Sequence, residues 1–196
     1  MSLVDFDSTD PHDPGTDAWT GDALVPAGPG VIAVLDGVAA CLTGSGLLAR
    51  LISRGDRIVT SEGGPHPSPI IWLTDGRYVE DPGAPADAVA LSEAGETIRG
   101  LQARLVCMAS HRGVDRVADI LLAIHARSGH TALALTQQGL AERTGLRRST
   151  VNEACQALRA GGAIGFRRGN ILIRDVAALE ASACGCDAAL RQPPKT

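Results

Sequence analysis

The segment Leu135–Asp175, LTQQGLAERTGLRRSTVNEACQALRAGGAIGFRRGNILIRD, decides the fold of this chain. It predicts two short helices joined by a tight turn and followed by a β-hairpin. Thr136 is a good N-cap for the first helix because its hydroxyl accepts a backbone N–H, and Gly145 suits the left-handed position that ends it. The second helix is predicted from about Arg147 to Ala160. Its buried stripe has three- and four-residue spacing and comprises Val151, Ala154, Cys155 and Leu158.

The hairpin and the outer face of the second helix complete the pattern of a winged helix-turn-helix. Strands are predicted at Ile164–Phe166 and Ile171–Ile173, with Gly169-Asn170 supplying the positive φ values of a tight turn. The outer face of the helix carries polar side chains that suit contacts with base edges and phosphates: Arg148, Ser149, Asn152, Glu153 and Gln156. In this architecture the second helix lies in the DNA major groove.

The charge distribution favours DNA binding over the alternative of a packed helix pair with a merely solvated arginine face. Residues 136–174 hold seven arginines against two glutamates, whereas residues 1–100 hold five arginines against fifteen acidic residues. The whole chain has a net charge of −4. One basic segment in an acidic protein indicates a localised surface for phosphate contact. Double-stranded DNA is therefore the predicted partner.

The same segment resembles the C-terminal DNA-binding domain of the Crp/Fnr superfamily of bacterial transcription regulators. The matching positions are Leu135-Thr136-Gln137, Leu140-Ala141, Gly145, Arg148-x-x-Val151, Leu158, Gly162-x-Ile164 and Arg168-Gly169-x-Ile171. The chain departs from the pattern at Gly139, inside the first helix, and at Arg147, the N-cap of the second. By position, the resemblance implies base contacts from Arg148, Ser149 and Asn152 or Glu153. It implies phosphate contacts from Thr136, Gln137, Arg147 and Arg168, and we expect Arg167 and Arg168 to anchor the wing.

A long helix is predicted just before this domain, capped by Ser92 and beginning at Glu93. Its apolar residues follow the a/d spacing of a coiled-coil seam and are Ala94, Ile98, Leu101, Leu105 and Met108. A buried helix in a monomer has a similar stripe, but the resemblance implies a homodimer, because family members pair through this helix. A two-fold dimer would bind a palindromic operator. A further helix is predicted at roughly Val114–Arg127, ended by Gly129.

The N-terminal half predicts a reduced antiparallel β roll. Short apolar runs alternate with glycine turns from Gly30 to Val59, and further strands are predicted at Ile70–Leu73, Arg77–Val79 and Ala88–Leu91. The pattern resembles the start of the cyclic-nucleotide-binding domain of the family. However, the stretch Ile58–Pro69, where the phosphate cassette is expected, has no arginine and three prolines. We therefore predict no binding of cyclic AMP.

Neither metal binding nor catalysis is predicted. The five cysteines form no CxxC pair, and the five histidines include no i,i+4 pair. Cys184-Gly185-Cys186 is the best metal or redox candidate, but two thiols do not complete a tetrahedral site. Cys107 adjoins the seam, where it could face its dimer mate. No nucleophilic triad order, P-loop or dinucleotide turn is recognisable, so we expect a protein that is not an enzyme and has no cofactor.

The predicted fold class is α+β: a reduced β-roll sensor-like domain, a long dimerisation helix and a C-terminal winged helix-turn-helix. The expected divisions are a disordered acidic tail (1–22), the β domain (23–91), the dimerisation helix (92–112), the DNA-binding domain (113–186) and a disordered tail (187–196). Each domain is expected to have its own core.

No apolar run is long enough for a membrane span, and residues 1–22 lack the apolar region of a secretory signal. A cytoplasmic location is therefore expected. The alternative function is that of an anti-activator, an interaction module whose acidic half binds another regulator or RNA polymerase. A ligand or redox sensor with conditional DNA binding is a third possibility.

Overall fold

The computed structural model describes residues 15–24, 28–60, 68–81, 84–168 and 170–191. The strands are β1 Thr16–Ala18, β2 Gly30–Asp36, β3 Val38–Leu42, β4 Leu48–Ser53, β5 Arg57–Thr60, β6 Ile70–Trp72, β7 Gly76–Asp81, β8 Ala132–Leu133, β9 Ile164–Arg167 and β10 Asn170–Ile173. The helices are α1 Ala86–Ser110, α2 Gly113–Ser128, α3 Gln137–Thr144, α4 Arg148–Ala160, α5 Val176–Ser182 and α6 Cys186–Leu190. The predicted α+β class is confirmed.

Two antiparallel sheets form the N-terminal half, with strand orders β1-β7-β2-β5 and β4-β3-β6. The space between them is filled by side chains with almost no solvent exposure, including Ile32, Ile52, Ile58 and Trp72. Strand β3 is buried on both faces because Ala39 and Cys41 point into this core while Val38, Ala40 and Leu42 belong to a second one. Such a strand is apolar throughout rather than alternating.

The second core joins the two halves of the chain. It combines the outer face of the β4-β3-β6 sheet with helices α2 to α5 and the small sheet β8-β10-β9. Helix α2 lies at its centre, where Val117, Leu121 and Ile124 are fully buried. The expectation of a separate core in each domain is therefore wrong, because the apolar outer face of β3 needs a partner and α2 supplies it.

Three sequence-based boundaries differ from the structure. The predicted strand Ala88–Leu91 is instead the first part of α1, since a short apolar run has no periodicity that distinguishes strand from helix. The helix therefore begins at Ala86 rather than Glu93, and Ser92 lies inside it and does not cap it. Strand β1 lies within the predicted tail 1–22 and pairs with β7, although residues 1–14 lie outside the described part. Helix α6 occupies most of the described part of the predicted disordered tail 187–196.

Helix α1 packs on the β domain through one narrow face. Its buried residues Glu93, Gly100 and Cys107 recur every seven residues. A Cβ at Gly100 would lie 2.5 Å from the carbonyl oxygen of Ala49, so only glycine permits this approach of helix to strand. Glu93 accepts hydrogen bonds from Arg50 and from the backbone N–H of Val59. The remaining faces of α1 are largely exposed.

Across the described residues, no helix combines the length and the apolar character that a membrane span requires.

Candidate nucleic-acid interface

Local hydrogen bonds and backbone geometry define the two helices of the interface, as predicted. The Thr136 hydroxyl accepts a hydrogen bond from the Gly139 N–H at 3.0 Å and caps α3. Gly145 ends α3 in the left-handed conformation, with φ 66°. Arg147 is the N-cap of α4 and makes no side-chain cap, so the first N–H groups of α4 remain available to an anion such as phosphate.

Helix α4 divides cleanly into a buried and an exposed face. The predicted stripe Val151, Ala154, Cys155 and Leu158 is buried. On the other side, near the helix start, lie the exposed Arg148, Ser149 and Glu153 and the half-buried Asn152. Gln156 donates its side-chain amide to the Asn152 oxygen at 3.4 Å, which links two turns of the outer face. The predicted base-contacting side chains therefore share one solvent-facing surface.

The wing is a three-stranded sheet rather than a two-stranded hairpin. Strand β8, which sequence analysis missed, pairs with β10 and buries Leu133. Arg167 and Arg168 are exposed at the end of the β9–β10 hairpin. The predicted positive φ at Asn170 is wrong, because Arg168 takes the left-handed conformation instead, with φ 49°. Gly169 lies outside the described residues.

Six of the seven arginines in residues 136–174 are exposed. Arg159 and Arg174, which the predicted contact set omitted, line one surface pocket together with the exposed Phe166 of the wing. Arg143 is the exception: its Nη1 donates to the Gly139 carbonyl at 3.1 Å, and burial lowers the pKa of its guanidinium. Thr136 is exposed and Gln137 half-buried at the start of α3. The exposed arginines therefore lie on α4, on the wing and in the chain segments beside them.

The predicted seam lies on an exposed face of α1. Ala94, Ile98, Leu101, Leu105 and Met108 are all exposed. Leu91, moved from a predicted strand into the helix, extends the seam and is 78% exposed. The last three residues of the seam, Leu101, Leu105 and Met108, also line a cavity of about 250 Å³ against α2, α3 and the loop before β4. The seam is thus an apolar stripe that the chain itself leaves mostly uncovered.

Four metal-ligating side chains meet where α1 ends. Cys107, His111, Cys184 and Cys186 each offer a ligand atom, and these atoms lie within 4.8 Å of one another. Cys107 is buried with its Sγ 3.5 Å from that of Cys184, so it does not face a dimer mate. Burial raises the pKa of the Cys184 thiol to about 11, and it also raises the pKa of the Cys107 and Cys186 thiols.

This cluster was not predicted because neither the cysteines alone nor the histidines alone have the spacing of a metal site. The signal was present in the mixed pair Cys107 and His111, which are four residues apart on one helix face. The Cys-x-Cys pair that completes the group follows more than seventy residues later. Its approach to α1 is a tertiary contact that no local spacing reveals.

Comparison with known proteins identifies both the domain and the overall fold. Residues 115–182 match the Crp-like helix-turn-helix domain. A CRP-family transcriptional regulator from Thermus thermophilus is 16% identical, with a TM-score of 0.64 over 86% of this chain and 96% of that one. A CRP/FNR-family regulator from the same organism is 21% identical, with a TM-score of 0.62 over 86% and 97%. FixK2 from Bradyrhizobium japonicum is 20% identical, with a TM-score of 0.60 over 87% and 98%.

No curated protein sequence matches this chain. The sequence identity to these solved structures is low, so their similarity over most of the chain shows a shared fold. The domain match, in contrast, is a similarity in the sequence of the helix-turn-helix itself.

Proposed function

We propose that this chain is a DNA-binding transcription regulator of the Crp/Fnr family that binds a palindromic operator as a homodimer without cyclic AMP. The family is not enzymatic. The observation that carries the proposal is the outer face of α4. It presents Arg148, Ser149 and Glu153 to solvent while its opposite stripe is buried, and Arg167 and Arg168 are exposed on the wing that follows it.

The roles proposed for these residues follow their position on that surface. Arg148, Ser149 and Asn152 or Glu153 contact base edges in the major groove. Thr136, Gln137 and Arg147, at the starts of α3 and α4, contact phosphate. Arg167 and Arg168 anchor the wing on phosphate or in the minor groove. A cytoplasmic location follows from this role, since the operator is there.

The exposed seam of α1 supports dimerisation. From Leu91 to Met108 its residues are spaced by alternating steps of three and four over nearly three heptads. A stripe that includes Leu91, Ile98 and Leu105, each more than half exposed, is unfavourable in water unless a second copy covers it. Pairing of two α1 helices about a two-fold axis would place two α4 helices about one turn of DNA apart.

The interior of the β domain supports independence from cyclic AMP. The space between its sheets is occupied by Ile32, Ile52, Ile58 and Trp72. Arg50, the most buried arginine of this domain, faces α1 and is paired with Glu93 and Glu96. Arg77 is about half exposed and lies 4.0 Å from Asp17. Residues 61–67 of the cassette region lie outside the described part.

Selection of binding sites from a random duplex pool tests the proposal as a whole. Purified full-length protein is expected to enrich a palindrome whose half-sites lie about one helical turn apart. Adding cyclic AMP to a parallel selection is expected to leave the enriched motif and its yield unchanged. Enrichment that appears only with the nucleotide would contradict cyclic AMP independence, and a single non-repeated half-site would contradict the dimer.

Replacing Arg148 by alanine tests the assignment of the outer face. We expect Arg148→Ala to weaken binding to the selected operator by about 1–3 kcal/mol and to relax the preference at one base position in each half-site. Fluorescence anisotropy with operator and with single-base variants measures both effects. Arg159→Ala is the control on the same helix: Arg159 is exposed in the last turn of α4 and is not among the proposed base-contacting residues, so its loss should leave the relative affinities of the variants unchanged. Base preference that survives unchanged in Arg148→Ala would show that Arg148 contacts no base.

The acidic N-terminal half favours a second candidate function, that of an anti-activator. Residues 1–100 hold ten more acidic residues than arginines, a surface suited to binding another regulator or RNA polymerase. The two functions differ in their salt dependence on DNA. Duplex affinity that falls steeply between low and physiological salt supports operator binding. Absence of duplex binding by folded protein at low salt supports the interaction module.

A further inference from the structure

We propose that Cys107, His111, Cys184 and Cys186 bind one zinc ion through three thiolates and one imidazole nitrogen. This side-chain set is one of the combinations found in structural zinc sites, where four protein ligands close a tetrahedron. The ion would tie the C-terminal tail of the DNA-binding domain to the end of α1. Neither the helix-turn-helix nor the seam requires these residues, so the site is additional to the proposed function.

The distances between ligand atoms suit a single ion. Cys107 Sγ and Cys184 Sγ are 3.5 Å apart, as are Cys186 Sγ and His111 Nδ1, and no two ligand atoms of the group are more than 4.8 Å apart. Zinc–sulfur bonds of about 2.3 Å in a tetrahedron place neighbouring sulfurs about 3.8 Å apart. The group therefore needs only small side-chain movements to coordinate an ion at its centre.

The backbone places the ligands without help from the metal. Cys107 and His111 lie one turn apart at the C-terminal end of α1, where the His111 N–H donates to the Cys107 carbonyl at 3.1 Å. Gly185 separates the other two ligands in the left-handed conformation, with φ 74°, which turns the chain sharply between Cys184 and Cys186.

The tail that carries the two cysteines is anchored beside the site. Asp187 is buried and accepts hydrogen bonds from Arg127 at 2.6 and 3.2 Å, while its backbone N–H donates to Asp119 at 3.1 Å. The Cys184 N–H donates to the Asp115 carbonyl at 3.3 Å. The folded chain thus pre-organises the ligand group, which lowers the ordering required when an ion binds.

The participation of His111 distinguishes a metal site from a disulfide. A disulfide bond between Cys107 and Cys184 would use two thiols and would not explain why Cys186 and His111 lie beside them. Binding of a divalent ion uses all four ligands: each of the three thiols loses its proton to solvent, and the imidazole binds through a lone pair. The resulting centre carries a net charge of −1. Arg104, about one helical turn before Cys107, is mostly buried and pairs with Asp187, the residue that follows Cys186, at 3.6 Å.

The position of the site connects it to operator binding, and this step rests on the proposed function. His111 immediately precedes Arg112, the N-cap of α2, at the junction between the proposed dimerisation helix and the DNA-binding domain. An ion that holds the tail against this junction would restrict the angle between seam and recognition helix. Metal removal is therefore expected to weaken operator binding, whereas metal content can be measured with no DNA present.

Metal analysis of the full-length protein is the decisive experiment. Protein purified under reducing conditions without chelator is expected to contain close to one equivalent of zinc per chain, measured by inductively coupled plasma mass spectrometry. Exchange with Co²⁺ should produce the visible absorption bands of a tetrahedral thiolate-bound ion. We expect Cys184→Ser and His111→Ala to lose most of the bound metal. His111→Cys should retain it, because four cysteines form an equally good zinc site.

Cys41→Ala is the matched control, since Cys41 is a buried thiol of the β domain outside the group. It should keep its zinc, and circular dichroism establishes that each variant is folded. Wild-type protein without zinc that also fails to take up Co²⁺ under reducing conditions would overturn the proposal. So would metal binding that is equal in wild type and in Cys184→Ser, or a Cys107–Cys184 disulfide in metal-free protein isolated without oxygen.

Discussion

Ile98→Asp is expected to convert the proposed homodimer into a monomer and to remove nearly all specific operator binding. Ile98 lies in the middle of the seam and is 56% exposed in the single chain. In a two-fold pair, two aspartates would face each other in an apolar interface, so both desolvation and repulsion oppose pairing. If the free energy of dimerisation becomes less favourable by at least about 3 kcal/mol, the dimer dissociation constant rises by more than about a hundredfold.

The DNA affinity falls because the two α4 helices are no longer held together in one molecule. In the proposed dimer, contact with the first half-site would hold the second α4 helix close to the second half-site, so that both helices contribute to the affinity for the operator. A monomer retains a single half-site and the non-specific phosphate contacts. Sedimentation velocity gives the oligomeric state, and anisotropy with the selected operator gives the affinity.

Val106→Asp is the control for the added charge. Val106 is also apolar and is 58% exposed, but it lies off the seam and on a different side of α1 from the buried Gly100. We expect this variant to dimerise and to bind the operator nearly as wild type does. A dimeric Ile98→Asp, or equal loss in both variants, would show that the seam residues Ala94, Ile98, Leu101, Leu105 and Met108 are not the interface.

Glu93→Ala is expected to lower the free energy of unfolding by about 3–5 kcal/mol, because it leaves the buried Arg50 with one carboxylate instead of two. The side chains of Arg50 and Glu93 are 6% and 9% exposed and lie 3.4 Å apart. The same carboxylate accepts the Val59 N–H at 2.9 Å, so the substitution also removes the partner of a backbone donor in β5. Urea unfolding at one fixed protein concentration measures the change.

Two further variants separate the causes of this loss. Glu96 pairs with the same arginine at 2.9 Å, but its side chain is 37% exposed, so Glu96→Ala should cost no more than about 1 kcal/mol. Combining Arg50→Met with Glu93→Ala removes the buried guanidinium that has lost one of its two carboxylate partners, and should recover part of the lost stability. A Glu93→Ala protein as stable as Glu96→Ala would show that Glu93 does not carry the attachment of α1 to the sheet.

Local chemistry allowed the C-terminal domain to be predicted almost completely. The Thr136 cap, the left-handed Gly145 and the stripe of α4 each depend on residues within one or two turns of the chain. The seam of α1 was also predictable, since a helical period of apolar residues is visible wherever the partner comes from. Two short segments were not predicted correctly: β8 was not predicted at all, and Ala88–Leu91 was predicted as a strand. Each contains too few residues to establish a period.

What the amino-acid order settles here is therefore local: the helix caps, the amphipathic faces and the arginine-rich segment, because each arises from neighbours in the chain. The folded structure decides which distant groups meet. It brings Glu93 to Arg50 across α1 and β4, joins β3 to α2 in one core, and gathers Cys107 and His111 with Cys184 and Cys186. These contacts depend on how whole elements pack, and that packing is fixed by the sum of many weak burials rather than by any short motif.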